Sequence, residues 1–210
     1  MKDHSITKIS RNTARPFIEK IHYTHSLGKV SVAYGLFDNN KMVKEGFLEL
    51  SRLCGVITFG QVSARDLAQS LFEDGTQYNT FEFLRMAVLD DCDYPRSKFI
   101  SKAIGLLKIE YPKIKCLVSF ADQTEGHFGY VYQASNWLFL GVTGKKYHFI
   151  VNGKRVNKRM AYNNAVKEGL TEKEYIEKYS WEKVMELPKF RYVYLLDRKI
   201  ELKQSILNYP

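Results

Sequence analysis

Apolar positions along the chain follow a helical period first and a two-residue period soon after. Phe17, Ile18 and Ile21 share one helix face, so a helix is predicted from a cap at Thr13 toward His22, with Gly28 ending the turn region behind it. Short β-rich runs follow at residues 30–37, around Gly46 to Leu50, and at 54–60, separated by Asp38-Asn39-Asn40 and by Gly55. Such spacing predicts an antiparallel meander. Ser63 and Asp66 form a capping-box variant opening a helix with Leu67, Ala68 and Leu71 inward and Gly75 as its stop. A longer strand is expected at 81–89. Pro95 then starts a helix whose stripe of Phe99, Ile100, Ala103, Ile104 and Leu107 keeps a 3.6-residue period.

Strand 115–122, a helix near His127 to Ser135 and strand 137–141 complete strand-helix-strand units, which imply parallel pairing in the second half of the sheet. The class read from these patterns is α/β with a mixed sheet. Beyond Gly141 the texture changes. Residues 145–159 read as a short hairpin turning at Asn152-Gly153, Thr171 and Glu174 as a capping box, and 190–196 as a last strand. The organisation expected is a core over 1–142 carrying a basic extension, 143–210, packed on it as one domain.

Composition adds a direction to this outline. The chain has 210 residues, 32 Lys and Arg against 23 Asp and Glu, and a formal charge of +9. Residues 143–210 hold 15 basic and 8 acidic side chains and the first 142 hold 17 and 15, so the excess lies in the extension. A basic face concentrates polyanions, which points to nucleic acid, with Lys145, Lys146, Lys154, Arg155, Lys158 and Arg159 as the candidate contacts. A solvated lysine-rich surface has the same composition. No apolar run reaches a membrane span and the first residues lack a signal-peptide core, so a cytoplasmic protein is expected, in a host cell if a phage encodes it. Three widely spaced cysteines, Cys54, Cys92 and Cys116, offer no CxxC pair and read as buried reduced thiols. Oligomeric state has no signature here.

Candidate chemistry begins with Arg85. Strict alternation in strand 81–89 places it with Phe81, Phe83, Ala87 and Leu89, and a guanidinium on an apolar face needs a partner. Asp122 is the expected one, because it ends a neighbouring strand at the side of the sheet where α/β proteins place ligands. Gly126 and Gly129 permit a tight turn into the following helix, where Tyr132 could give a proton to a leaving group. His22 and His25, three apart with Tyr23 between them, close the first helix at a spacing that suits two imidazoles on a metal or two favourable dipole partners. His127 is a further possible ligand.

Against these residues a resemblance can be set. His22-Tyr23, Leu84-Arg85, Pro95-Arg96-Ser97 and above all SFADQTEGHFGYVYQASNWLFLG (119–141) resemble the phage Mom DNA-modification proteins, over about residues 20 to 150. The resemblance implies a fold like that of the GCN5-related N-acetyltransferases, a central mixed sheet flanked by helices. It also implies a transferase that converts the N6 amine of adenine in duplex DNA to a carbamoylmethyl derivative, protecting the DNA from restriction. Carried over, His22, Tyr23, Arg85, Asp122 and Tyr132 are the catalytic positions, and iron at the site has His22 and Asp122 as ligands. Acetyltransferases of that fold hold the pyrophosphate of coenzyme A in a glycine-rich loop, whereas here the slot reads DDCDYPRSKFIS (90–101) without a glycine. Arg96, Ser97 and Lys98 are then the expected phosphate holders, for an acyl-CoA or for an aminoacyl-tRNA, which would make tRNA a second partner. Two other readings remain open: an acyl-CoA-dependent N-acetyltransferase acting on a small amine or a protein, and a non-catalytic nucleic-acid-binding protein.

Overall fold

The structure is a computed structural model that describes residues 3–45, 48–144 and 146–210. Lys145, one of the expected nucleic-acid contacts, and Gly46, expected in a strand, lie outside the described residues. In chain order the elements are β1 (His4–Ile9), α1 (Arg11–Ile21), β2 (Val32–Glu45), β3 (Leu48–Gln61), α2 (Arg65–Leu71), β4 (Thr80–Val88), α3 (Arg96–Glu110), β5 (Cys116–Ala121), α4 (Tyr130–Gln133) and β6 (Leu138–Val142). There follow β7 (Lys146–Val151), β8 (Lys154–Asn157), α5 (Lys158–Lys167), α6 (Glu172–Lys178), β9 (Glu182–Glu186) and β10 (Phe190–Leu195). They form two units, one of residues 1–120, 129–141 and 191–210 and one of residues 121–128 and 142–190.

The larger unit holds a seven-stranded sheet in the order β1-β2-β3-β4-β5-β10-β6. Its first four strands form the expected antiparallel meander, but the three short runs foreseen are two strands of 14 residues each, β2 and β3. Parallel pairing occurs between β4 and β5. The expected parallel neighbour of β5, β6, is displaced, because β10 returns from the end of the chain and lies between them. The stretch read as one C-terminal extension therefore divides: 142–190 belong to the smaller unit and 191–210 to the larger. The charge divides with it. By sequence the smaller unit carries 11 basic and 8 acidic residues, leaving 21 and 15 for the larger.

Helices cover both faces of the large sheet. Gly55 and Val56 are consecutive on β3 and face opposite ways. Val56 joins Ala14 and Ile18 of α1, with Ala33 and Ala87, in one buried cluster, while Gly55 leaves room for Phe99 of α3. A second cluster places Ala68 and Leu71 of α2 against Cys116, Val118, Leu140 and Val193. The helix starts differ in detail from the sequence reading. Ser10, not Thr13, caps α1 by accepting the Thr13 N–H at 3.0 Å, and the helix accordingly begins before Thr13. Ala64 precedes α2 with no side-chain cap, so the Ser63–Asp66 capping box is not formed. The Thr171–Glu174 box is formed in full.

The smaller unit has a three-stranded sheet in the order β8-β7-β9. Asn152 and Gly153, with φ of 50° and 72°, make the turn of the expected hairpin, where both central residues need positive φ. No described helix is long and apolar enough to cross a membrane.

Candidate active site

The site in the larger unit is built where β4 and β5 part. Their ladder covers Thr80–Glu82 against Cys116–Val118, after which β4 runs on to Val88 and β5 to Ala121. At the point of parting a side chain replaces the ladder. Ser119 Oγ lies 3.1 Å from the Phe83 carbonyl oxygen and 2.8 Å from the Tyr132 hydroxyl. The carbonyl can only accept, so with the serine proton there, the Tyr132 hydroxyl donates to Ser119. Tyr132 comes from α4, and its ring rests among Phe83, Trp137 and Tyr192 at centroid distances of 5.7, 5.2 and 5.2 Å. Burial pushes its phenol up to about 12, outweighing the lowering effect of its contact with Ser119. At neutral pH it is a held, protonated phenol.

β4 carries an irregularity at this same point. Thr58 of β3 pairs with Arg85 but Phe59 pairs with Phe83, so Leu84 is an extra residue, a β-bulge. The alternation read from the sequence breaks there. Arg85 shares a face with Ala87, while Phe83 turns to the other face and meets Phe59 edge-on at 5.2 Å. The guanidinium is therefore not set among Phe81 and Phe83. Its Nε donates to the Ser26 carbonyl at 3.1 Å and Nη1 to the Leu84 carbonyl at 2.6 Å. The expected partner, Asp122, is replaced by two backbone carbonyls, and Arg85 ties the segment after α1 to the bulge. Arg85→Ala should cost about 1.5 to 3 kcal/mol, the range for hydrogen bonds from a charged donor, measured by urea unfolding, and should speed amide exchange over residues 22–28.

That segment carries His22 and Tyr23. His22 ends α1 as its C-cap, its amide donating to the Ile18 carbonyl, and its ring stacks on Tyr23 at 4.4 Å. The Thr24 amide donates to His22 Nδ1 at 3.2 Å, so a neutral ring carries its proton on Nε2. Tyr23 is near enough to Tyr132 to act on its ionisation. His25 turns away, its Nδ1 on the Glu19 carbonyl at 2.8 Å, so the His22–His25 pairing on one metal is not formed.

A cavity of about 840 Å³ in the same unit runs along the first turns of α3. It is lined by Ser97, Lys98, Ser101 and Lys102 on one side and by His4, Asp93 and Tyr94 on another. Of the three expected phosphate holders, Ser97 and Lys98 line it and Arg96 does not, while Ser101 and Lys102, one helical turn on, were not foreseen. Pro95 gives α3 no side-chain cap and its first turn holds no acidic residue. The helix N-terminus is thus electrostatically open to an anion.

In the smaller unit Asp122 opens a short 3-10 turn, with the Thr124 amide on its Oδ1 at 3.1 Å. Lys189 Nζ reaches its Oδ2 at 2.5 Å, a partner that no sequence pattern announced across 67 positions. Burial pushes the Asp122 carboxyl up, but the Lys189 ammonium and the Thr124 amide outweigh it and hold it below the usual carboxylate range. Because the folded value is the lower one, the pair's stabilisation is fully present above the unfolded value near 3.9 and is lost as pH falls through the folded value. Lys189→Met should remove that acid-side loss, a difference seen by comparing urea midpoints at about pH 7 and about pH 3.

Iron does not fit the expected pair. A metal on His22 Nε2 would move the ring proton to Nδ1, against the Thr24 N–H already there. On Asp122 it would have to displace an ammonium and an amide. Among the basic positions, Lys154, Arg159 and Lys146 are exposed on β8, α5 and β7. Arg155 is paired with Glu186 at 2.5 Å, and Lys158 lies 4.9 Å over the Tyr147 ring.

Comparison with known proteins places this arrangement. The profile of the Mom protein family matches residues 3–210. The "Methylcarbamoylase mom" of Escherichia phage Mu is 30% identical over 180 residues, which are 80% of this chain and 70% of that protein. Arabidopsis thaliana NAA60 in complex with acetyl-CoA superposes at a TM-score of 0.53 with 11% identity, over 92% of this chain and 99% of that one. The same protein in complex with a bisubstrate analogue gives 0.50 with 11% identity, over 92% and 98%. The fold is that of the GCN5-related N-acetyltransferases, and, matched by its profile over nearly its whole length, the chain belongs to the Mom protein family.

Proposed function

We propose that the protein is a transferase that modifies the N6 amine of adenine in duplex DNA, leaving a carbamoylmethyl group that protects the DNA from restriction. The observation that carries the reading is Tyr132, a protonated phenol held by Ser119 where β4 and β5 part, in a chain similar to a phage methylcarbamoylase. The adenine amine is a weak nucleophile, and its modification needs a proton acceptor for the amine and a donor for the leaving group. Tyr132 is the donor. Asp122 and His22 are the two candidate acceptors: Asp122 is kept ionised by Lys189, and His22 in its present tautomer offers an N–H. His22 and Tyr23 position the acceptor base, and Arg85 positions them through Ser26. The target adenine is reached by flipping it from the stack, at a cost of a few kcal/mol.

The group donor carries phosphate and lies along α3. Lys98 and Lys102 supply charge, Ser97 and Ser101 hydroxyls, and the uncapped helix start supplies amides. An acyl-CoA suits the cavity, in line with the acetyl-CoA bound to the Arabidopsis protein; an aminoacyl-tRNA is the other phosphate-bearing donor of the right chemistry. Lys146, Lys154 and Arg159 grip the DNA backbone. Arg159 and Lys158 stand in the first turn of α5, whose dipole disfavours cations unless an anion joins them.

Nucleoside mass spectrometry on DNA from cells expressing the protein tests the whole reading. An adenine adduct that vanishes with Asp122→Ala is the expected outcome. Unmodified DNA together with acetylation of a small amine or a protein would replace it by the acetyltransferase reading, and intact function in Asp122→Ala by the binding one. Acetyl-CoA should raise the melting temperature of the wild type, and Lys98→Ala with Lys102→Ala should remove most of that rise.

A further inference from the structure

Three residues far apart in sequence meet in the large-sheet unit, one of them on its edge strand. His4 opens the edge strand β1, Cys54 lies in β3, and Cys92 follows β4 on a turn closed by Cys92 N–H on the Leu89 carbonyl and Leu89 N–H on the Cys54 carbonyl. Both cysteines are free and buried, and the His4 side chain is 4% exposed. One ligand atom from each of the three lies within 4.8 Å of the other two, and the two Sγ atoms are 3.1 Å apart. A fourth donor stands beside them: Asp93 Oδ1 is 3.5 Å from His4 Nε2, half-exposed toward the cavity along α3.

We propose that His4, Cys54 and Cys92 bind a zinc ion, with Asp93 in the fourth position. Two thiolates, an imidazole and a carboxylate are a donor set that zinc takes in tetrahedral geometry. With bonds of about 2.0 to 2.3 Å, neighbouring ligand atoms of such a site stand about 3.3 to 3.8 Å apart. The present spacings bracket that range, so metal entry asks for shifts of about an ångström. Binding replaces the two S–H protons, which leave with solvent, and gives a site of net charge −1. Arg52, paired with Asp91, favours the Cys54 thiolate, and the buried carboxylate of Asp38, opposite His4 in the β1–β2 register, opposes it. Without metal, burial pushes the Cys54 thiol up to about 12. A disulfide would use the two sulfurs alone and give the converging imidazole and carboxylate no role.

The site would fasten the edge strand, the second hairpin strand and the turn into α3, so it sets the wall of the cavity that His4 and Asp93 line. Full-length protein grown with zinc and purified under reducing conditions should contain about one zinc per chain by plasma mass spectrometry. Stripped and refilled with Co2+, it should show a sulfur-to-cobalt charge-transfer band and intense tetrahedral visible bands. Cys92→Ser should lose about half of that charge-transfer intensity and bind Co2+ at least about tenfold more weakly, and His4→Gln should weaken binding similarly, whereas Cys116→Ser, whose thiol is elsewhere in the core, should behave as wild type. The wild-type cobalt spectrum needs no variant to fold. Reduced wild type with no zinc and no charge-transfer band overturns the proposal, as does a protein whose air-oxidised form loses two hydrogens to a Cys54–Cys92 disulfide while its reduced form binds no Co2+. Metal content unchanged in Cys92→Ser and His4→Gln overturns it too.

Discussion

Tyr132→Phe should reduce adenine modification by about 10²- to 10⁴-fold, the range for removal of a positioned acid, while leaving the protein folded. The ring keeps its contacts with Phe83, Trp137 and Tyr192, so the packing term is unchanged and only the hydroxyl goes. Ser119 keeps its bond to the Phe83 carbonyl, so no buried donor is orphaned. Nucleoside mass spectrometry gives the activity and thermal unfolding the control. A melting temperature within a few degrees of wild type with adduct formation lost supports Tyr132 as the proton donor. Undiminished adduct would remove Tyr132 from the chemistry and reduce it to a packing residue. The pH dependence gives a second reading. With its phenol pushed up to about 12, Tyr132 stays protonated through the physiological range, so any fall in activity near neutral pH must come from another group.

Gly129→Ala should destabilise the larger unit by about 3 kcal/mol or more, with a correspondingly large drop in melting temperature. Gly129 has φ of 81°, in the left-handed region where a side chain is strained, and an added Cβ would stand 2.3 Å from the Tyr192 ring. Tyr192 is fully buried on β10 and bonded to Gln133, so it has nowhere to retreat. The shift needed to relieve the clash would move α4, and with it the Tyr132 hydroxyl away from Ser119. Urea unfolding should show the loss, and adduct formation should fall further than the folded fraction accounts for. Gly126→Ala, also at positive φ but with nothing within 4 Å of its added Cβ, should cost only about 1 kcal/mol. Equal losses at the two positions would contradict the crowding at Gly129.

What local patterns could tell stopped at the range over which they repeat. The helical period of Phe99 to Leu107 placed α3, Asn152-Gly153 placed a turn, and Thr171 with Glu174 placed a helix start, because each is decided by residues within a few positions. Asp122 was legible as a strand end, and Tyr132 as a tyrosine on the next helix. Arg85 was legible as an anomaly but not in its consequence. A single extra residue at Leu84 reverses the face of everything behind it, and no two-residue pattern records a bulge formed against a partner strand.

The sequence by itself determined the class, the order of most elements and the segment that holds Tyr132, since hydrophobic period and turn chemistry are local quantities. Only the tertiary structure decided who meets whom. β10 enters between β5 and β6, Lys189 reaches Asp122 across 67 positions, and His4, Cys54 and Cys92 converge from three distant elements. These meetings follow from strand order and register, which are settled by burying the whole set of apolar faces at once, and no window of the chain contains that sum.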